Sequence, residues 1–492
     1  MQKTVLALLL IVAGAAAQSA PLPRSTPEEQ GVSSAGILDF VEAADKGIDT
    51  MNSFMVVRHG KVVAEGWWSP YAAETPHAMH SLSKSFTSTA VGLAIADGKF
   101  SLDDPILKFF PDKAPPEPSQ NLKAMRVRDL LIMSSGHSDK DLSSVDLQSP
   151  QPSQSFLSST IAYKPGTYFL YNTPATYMLS AIVQKTTGEK VLDYLRPRLF
   201  EPLGIENPKW QESAEGVSLG GYGLSVRTED IARFGLLYLH KGEWQGKQLV
   251  PAAWIEAATS RQTSTGSSPT SDWEQGYGYQ FWRSRHGYRG DGAFGQFCFV
   301  LAEQDAVVAI TSGGRDMQAV MNLVWDRLLP AMQASLPAND VDRKKLAVRL
   351  SQLEVRRQDG KASPRLPASI SGKSYVFEEN PAKIQKFSLD WKSKRDEPAV
   401  ALTVGGIEQR ESCAKGAAWK KIVVHGNSAM PEQRAAISCA WKSGDTFAIK
   451  TVAVETAFYI NYQFRFTPRE VFLEQTYNVD HTETVRLTGK AQ

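Results

Sequence analysis

Hydrophobic and polar positions along the chain predict two regions of different structure. In the first region, runs with a period of two alternate with runs of helical period. Strands are predicted at 294–301 and 306–311, and a hairpin at 53–68, turning at 58–61. Helices are predicted at 81–96, 126–133, 176–187 and 317–332, and after Thr228 as N-cap. This mixture is typical of an α+β or α/β domain that ends near residue 345.

The second region, residues 370–492, has a different pattern. Charged residues and prolines concentrate between 340 and 372, which favours a linker at 346–369. Beyond it, short β-rich runs dominate, at 387–389, 400–404, 447–454, 458–466 and 471–477. We therefore predict a C-terminal all-β domain, a small barrel or sandwich.

The first 17 residues have the pattern of a secretory signal peptide. Lys3 precedes an apolar stretch, and small residues stand at Ala15-Ala16-Ala17. The alternative is a retained N-terminal anchor. With removal after residue 17, the first domain spans 18–345 and the protein is exported to the periplasm or secreted. Export permits disulfides, so Cys413 and Cys439 could pair.

Composition and charge exclude several classes of function. The chain has 54 Lys and Arg against 52 Asp and Glu, a formal net charge of +2, without the basic excess typical of nucleic-acid binders. Its three cysteines are too few for a disulfide scaffold or a cysteine-rich zinc module. No later run is long and apolar enough for a membrane span.

The strongest candidate chemistry is the Ser-x-x-Lys motif formed by Ser81 and Lys84 at the start of a predicted helix. Residues i and i+3 share a helix face, so the Lys84 amine can reach the Ser81 hydroxyl. A helix N-terminus also favours a developing oxyanion, and burial lowers the pKa of a lysine so that its neutral amine can act as a base. A second copy, Ser412 to Lys415, lies in the β-rich region with no helix behind it, and we predict no catalytic role for it.

Two other stretches gain meaning only beside this motif. Tyr171 ends an aromatic run before a predicted helix, where a tyrosine is usually structural but can act as a general acid or base. Gly290-Asp291-Gly292 opens a predicted strand. Glycine there permits close approach of a substrate to the backbone, although a simple glycine-rich turn has the same pattern.

Taken in order, these motifs resemble the serine β-lactamase and penicillin-binding-protein fold. The resemblance is strongest to its class C-like hydrolases, which include family VIII esterases and 6-aminohexanoate-dimer hydrolases. It covers residues 24–335, with further support at 24–31, 127–136 and 220–225. It implies an antiparallel sheet flanked by helices, followed by the kind of β domain that some of these hydrolases carry.

The resemblance also implies roles for individual residues. Ser81 would be the nucleophile that forms an acyl-enzyme, Lys84 its activator and Tyr171 the proton shuttle. The backbone N–H groups of Ser81 and Ala293 would form the oxyanion hole. Neither a metal nor an organic cofactor is implied, and the partner would be a small-molecule ester or amide.

The sequence departs from the family pattern at two places. The second motif is often Tyr-x-Asn, whereas here Asn172 directly follows Tyr171. The third is often Lys-Thr-Gly, whereas here Gly290, Asp291 and Gly292 align. We expect Asn172, Asp291 and Gly292 to bind substrate, and the loss of the lysine favours neutral or cationic esters or amides.

Two alternative functions stay open. The first is a β-lactamase or D-Ala-D-Ala carboxypeptidase of the same fold, for which Arg289 or His286 would have to replace the missing lysine. The second is a catalytically inert hydrolase fold that binds a ligand or partner, because fold does not determine function. The sequence leaves the oligomeric state open.

Overall fold

Two antiparallel sheets organise the chain, one in each half. The computed structural model of the protein describes residues 20–360, 370–391, 397–425, 432–479 and 483–492. The predicted signal peptide, residues 1–17, lies outside these ranges. The strands of the first half are Met51–Arg58 (β1), Lys61–Trp67 (β2), His77–Ala78 (β3), Lys209–Trp210 (β4), Leu224–Val226 (β5), Glu243–Trp244 (β6), Lys247–Gln248 (β7), Trp282–Arg283 (β8), Tyr288–Gly292 (β9), Gln296–Leu301 (β10) and Ala306–Ser312 (β11).

The main sheet of the first half has the strand order β2-β1-β11-β10-β9-β8, and its neighbours are antiparallel. Alternate residues of β1 enter different apolar clusters: Met55 and Val57 join one, Phe54 and Val56 the other. Strand side chains point alternately to the two faces of a sheet, so both faces of this sheet are covered. This explains why every residue of β1, β10 and β11 is buried.

Helices cover both faces of this sheet. They are Ser34–Gly47 (α1), Ser83–Ala96 (α2), Gln120–Ala124 (α3), Val127–Leu131 (α4), Asp139–Leu142 (α5), Pro152–Ser158 (α6), Thr173–Thr187 (α7), Val191–Leu195 (α8), Glu201–Leu203 (α9), Thr228–Leu239 (α10), Ala252–Thr259 (α11), Met317–Leu323 (α12) and Asp340–Leu350 (α13). One face contacts α10, with α2 and α7 in the layer behind it, and the other packs against α1, α12 and α13.

Several helix and strand boundaries in the structure differ from the predicted ones. Thr228 is the first residue of α10 rather than its N-cap, because Asp230 accepts a hydrogen bond from the backbone of Arg227, which takes the capping position. Strand β10 begins at Gln296 because Phe294 has a left-handed backbone, with φ of 70°. Helix α13 crosses residue 345, and its Leu346 is buried against the first half.

The second half forms a ten-stranded antiparallel sheet that is nearly closed. Its strands are Ser374–Phe377 (β12), Ile384–Asp390 (β13), Ala399–Val404 (β14), Ile407–Ser412 (β15), Lys420–His425 (β16), Glu432–Trp441 (β17), Thr446–Ala453 (β18), Tyr459–Phe466 (β19), Glu470–Tyr477 (β20) and Val485–Ala491 (β21). The order is β15-β14-β13-β12-β21-β20-β19-β18-β17-β16, and the edge strands β15 and β16 approach each other. The predicted antiparallel sheet flanked by helices, followed by an all-β domain, is confirmed.

Aromatic side chains fill the interior of this second sheet. Phe387 and Phe464 stack with ring centroids 3.7 Å apart, and Trp441 packs against Phe466. Cys413, just after β15, and Cys439, within β17, form a disulfide beside the nearly closed edge. This bond ties two strands that the sheet order places far apart.

The two halves share an apolar cluster. Val452, Val454 and Tyr459 from the second sheet belong to the same cluster as Trp68 and Tyr71 from the first half. The Tyr459 hydroxyl also donates to Asp49, at 2.8 Å. A shared core of this kind holds the second half in one position relative to the first.

Replacing both Cys413 and Cys439 by serine is expected to lower the free energy of unfolding by about 2–4 kcal/mol, because the bond limits the freedom of the unfolded chain. Urea denaturation followed by tryptophan fluorescence measures the loss, and reduction of the wild type is the matched control. Thiol titration of the unreduced, denatured wild type should find one free thiol, Cys298. Three free thiols would contradict the bond.

Candidate active site

Ser81 lies in a short 3-10 turn, His80–Leu82, which leads directly into α2. The prediction began the α-helix at Ser81, whereas in the structure α2 begins two residues later. His80 has a left-handed backbone, with φ of 47°, so the chain bends sharply just before Ser81. The bend leaves Ser81 partly exposed, whereas the first residues of α2 are buried.

The Lys84 side chain is buried, with 1% exposure, and its Nζ atom lies 2.8 Å from the Ser81 Oγ atom. The same nitrogen donates to Thr173 Oγ1 at 3.1 Å and to the Gly221 carbonyl at 2.8 Å. Three acceptors therefore surround the amine and hold it against the Ser81 hydroxyl. The predicted i, i+3 pairing is present in the geometry.

Burial lowers the pKa of Lys84 to about 7, and the nearby Asp291 carboxylate opposes part of that decrease. Taking an ammonium out of water favours its neutral form. Near neutral pH a large fraction of Lys84 is therefore an unprotonated amine, which can accept the proton of Ser81.

The Tyr171 hydroxyl lies near Ser81, and Lys84 Nζ lies 4.8 Å from the centre of the Tyr171 ring. Burial and the charge of Asp291 raise the pKa of Tyr171 well above its ordinary value, so the phenol stays protonated. The ring stacks on Trp282 at 5.7 Å and meets Tyr277 edge-on at 6.2 Å. These contacts hold a proton donor beside Ser81.

Strand β9 lies directly against the turn that carries Ser81. A Cβ atom on Gly292 would lie 2.1 Å from the Met79 carbonyl oxygen, and one on Gly290 would lie 2.6 Å from Ser85 Oγ. Only glycine permits so close an approach at these positions. The contact brings the next residue, Ala293, beside the turn that carries Ser81, where the resemblance placed the second oxyanion donor; that role stays a prediction.

Asp291 forms a buried ion pair with Arg289, whose Nε atom lies 2.7 Å from the carboxylate. The Trp282 indole also donates to Asp291. Burial raises the pKa of Asp291, and the Arg289 charge opposes that rise. The guanidinium has no exposed surface, and it lies over the rings of Trp273 and Trp282.

Asn172 has partners within the protein for both ends of its amide. Its Oδ1 atom caps α7 by accepting from the Ala175 N–H at 2.8 Å, and its Nδ2 atom donates to Ser135 Oγ at 2.9 Å. The side chain is fully buried. Its predicted contact with substrate stays a prediction, and Thr173 is the residue of this motif that reaches Lys84.

Three contributors to the site were not predicted from the sequence: the Thr173 hydroxyl, the Gly221 carbonyl and the Trp282 ring. The displaced asparagine was the signal for Thr173, since it left a hydroxyl in the third place of the motif. In the second Ser-x-x-Lys copy, by contrast, Ser412 ends β15 and Cys413 is disulfide-bonded.

Within the described ranges, no group of three His, Cys, Asp or Glu residues could hold a metal ion. None of the helices in those ranges is both long and apolar enough to cross a membrane.

A family model described as Beta-lactamase matches residues 41–329, more than half of the chain. The chain belongs to the β-lactamase family. Ser81, Lys84, Tyr171 and the β9 strand all lie within the matched part, whereas the second sheet lies outside it.

Among related proteins of this β-lactamase family, the 6-aminohexanoate-dimer hydrolase of Paenarthrobacter ureafaciens is 26% identical over 288 residues, covering 54% of this chain and 73% of that protein. A β-lactamase of Escherichia coli strain K12 is 27% identical over 240 residues, 43% of this chain and 58% of that protein. A solved structure from Bacteroides dorei, a candidate β-lactamase, is 17% identical with a TM-score of 0.50, covering 60% of this chain and 98% of that chain. That structural likeness concerns the fold alone.

Replacing Gly292 by alanine is expected to lower kcat/KM for an ester substrate at least tenfold, because the new methyl group forces β9 away from the turn that carries Ser81. Gly47→Ala is the matched control, since no atom lies within 4 Å of a Cβ placed there. Equal activity of the two variants would contradict the close contact.

Proposed function

We propose that the protein is a serine hydrolase that cleaves ester or amide bonds through an acyl-enzyme on Ser81. The observation that carries this proposal is the 2.8 Å contact between Ser81 Oγ and a buried Lys84 amine whose pKa is lowered to about 7. A hydroxyl beside a neutral amine is the arrangement that an activated nucleophile needs. The relatives named as hydrolases and β-lactamases support the same reaction type.

Acylation follows from the hydrogen bonds at the site. The neutral Lys84 amine accepts the Ser81 proton while Oγ attacks the carbonyl carbon of the substrate. Negative charge develops on the carbonyl oxygen, and the N–H groups of Ser81 and Ala293 stabilise it. After the transfer Lys84 is an ammonium, and it donates hydrogen bonds to the Gly221 carbonyl and the Thr173 hydroxyl.

Tyr171 completes the proton transfer. Its high pKa keeps the hydroxyl protonated, so it donates to the leaving oxygen or nitrogen, and the Lys84 ammonium returns a proton to it. Water then attacks the acyl-enzyme, its proton passes to Lys84 as the Ser81 proton did, and the acid is released. Ser81 regains its hydroxyl, and atoms and charge balance over the cycle.

The charges around the site favour neutral or cationic substrates. Arg289, the cation nearest the third motif, is fully buried, paired with Asp291 and bonded to the Ser284 hydroxyl at 2.7 Å. The other candidate, His286, packs its ring against Trp325. Arg289 therefore has no exposed, unpaired positive charge to offer to the carboxylate of a β-lactam or of a D-Ala-D-Ala peptide.

Export is part of the proposal. The Cys413–Cys439 bond supports it, because disulfides persist mainly in oxidising compartments such as the periplasm. Cell fractionation followed by mass determination of the mature chain tests this location. Recovery of the full-length chain in the cytoplasm would contradict it.

Brief treatment with a fluorophosphonate is expected to add one covalent group to the wild type and none to Ser81→Ala, as intact-mass spectrometry measures. Ser412→Ala, in the second copy of the motif, is the matched control and should label like the wild type. Absence of labelling in the wild type would favour the inert-fold alternative. A stable adduct of a fluorescent penicillin at Ser81 would favour the β-lactamase or peptidase alternative.

The pH dependence of kcat/KM for a neutral ester should show an acidic limb with a pKa of about 7, because only the neutral amine of Lys84 accepts the Ser81 proton. Activity therefore rises through pH 7 and then levels off. In Asp291→Asn the limb should move to lower pH, because the removed carboxylate favoured the charged form of Lys84.

Asp39→Asn, at an exposed surface ion pair, is the matched control for Asp291→Asn and should keep the wild-type limb. Loss of the Asp291 charge leaves Arg289 buried without its partner, which costs about 3–5 kcal/mol of stability. The profile is therefore measured below the melting temperature of the variant. An unchanged limb in Asp291→Asn would contradict the coupling to Lys84.

A further inference from the structure

The turn between β18 and β19 of the second sheet, residues 454–458, reaches the segment that carries the nucleophile. The Glu455 carbonyl accepts a hydrogen bond from the Ala78 N–H at 2.8 Å. Ala78 lies three residues before Ser81. A loop of the C-terminal half is thus part of the immediate surroundings of the catalytic turn.

Phe458, the last residue of this turn, forms an aromatic cluster with His80 and Phe294. Its ring centroid lies 5.8 Å from that of His80 and 5.5 Å from that of Phe294, and the latter two are 5.2 Å apart. All three side chains are partly exposed. His80 precedes Ser81 and Phe294 follows Ala293, so the cluster borders the proposed oxyanion hole.

Hydrogen bonds between the two halves hold the turn in place. The Tyr71 hydroxyl donates to the Thr456 carbonyl at 3.1 Å. The Asn478 Nδ2 atom donates to the Gly313 carbonyl at 2.9 Å and to the Ala457 carbonyl at 2.7 Å. Phe458 is therefore placed by contacts on both sides of the turn.

We propose that Phe458 is a specificity-determining residue, through which the C-terminal domain supplies an apolar wall for the acyl group of the substrate. This inference rests on the proposed function. Tyr171 donates to the leaving group, which must therefore lie on the Tyr171 side of Ser81. The cluster of His80, Phe294 and Phe458 borders the proposed oxyanion hole, which holds the carbonyl oxygen. The acyl chain attached to that carbonyl extends from there along the partly exposed rings, which favour contact with alkyl or aryl carbon.

The test compares p-nitrophenyl acetate with p-nitrophenyl hexanoate, which share a leaving group and differ in acyl length. We expect the wild type to prefer hexanoate in kcat/KM. Phe458→Ala should reduce that preference about tenfold, mainly through the hexanoate value, with little change for acetate. Phe472→Ala is the matched control, since Phe472 lies on β20 of the same sheet and packs against Arg465.

Each outcome of this test decides between the alternatives. A selective loss for hexanoate in Phe458→Ala, with the preference intact in Phe472→Ala, supports the proposal. An equal loss for both esters shows that Phe458 only supports the fold and overturns it. No turnover by the wild type, with no fluorophosphonate label, overturns the proposed function and this inference together.

A second variant keeps the test valid if Phe458→Ala does not fold, as thermal unfolding would show. Phe458→Leu retains an apolar side chain of similar volume and should lower the hexanoate preference about threefold. An unchanged hexanoate preference in a folded Phe458→Leu variant would overturn the proposal.

Discussion

Removal of the Lys84 amine from water is the constraint on which the rest of the site depends. Helix α2 places this residue in the core, and the glycines of β9 let that strand pack closely against the start of the helix. Burial lowers the pKa of the amine to about 7, and the Ser81 hydroxyl lies within its reach. A lysine in water would stay protonated at neutral pH and could not accept the serine proton.

This arrangement requires balanced charges nearby. Asp291 alone would stabilise the protonated form of Lys84 and oppose the effect of burial. Arg289 pairs with that carboxylate, and its guanidinium lies over the Trp273 and Trp282 rings. Arg289 thus offsets the negative charge of Asp291 near Lys84. Trp282, which lies beside this ion pair, also stacks on the Tyr171 ring and helps to hold it in place.

Local patterns predicted the parts of the site that lie close in sequence. The Ser81 and Lys84 pair follows from helix periodicity, whereas the position of Tyr171 came only from the resemblance, because no local rule places it beside Ser81. In the second sheet, β13, β14 and β18 to β20 were predicted, but β12, β15, β16, β17 and β21 were not. Charged and polar residues are frequent in β15, β16 and β21, whereas the apolar run of β17 was missed. The aromatic cluster at Phe458 depends on a contact between distant parts of the chain, which no local pattern contains.

The division between the two halves bears on what the family can tell about substrates. The Beta-lactamase match ends at residue 329 and includes Ser81, Lys84 and Tyr171, to which the proposed mechanism assigns the chemistry. The turn at 454–458 lies beyond that match, yet it contacts the segment that carries the nucleophile. In the proposed role of Phe458, acyl selectivity depends on residues outside that match, so the named substrates of the relatives do not transfer to this chain with the family.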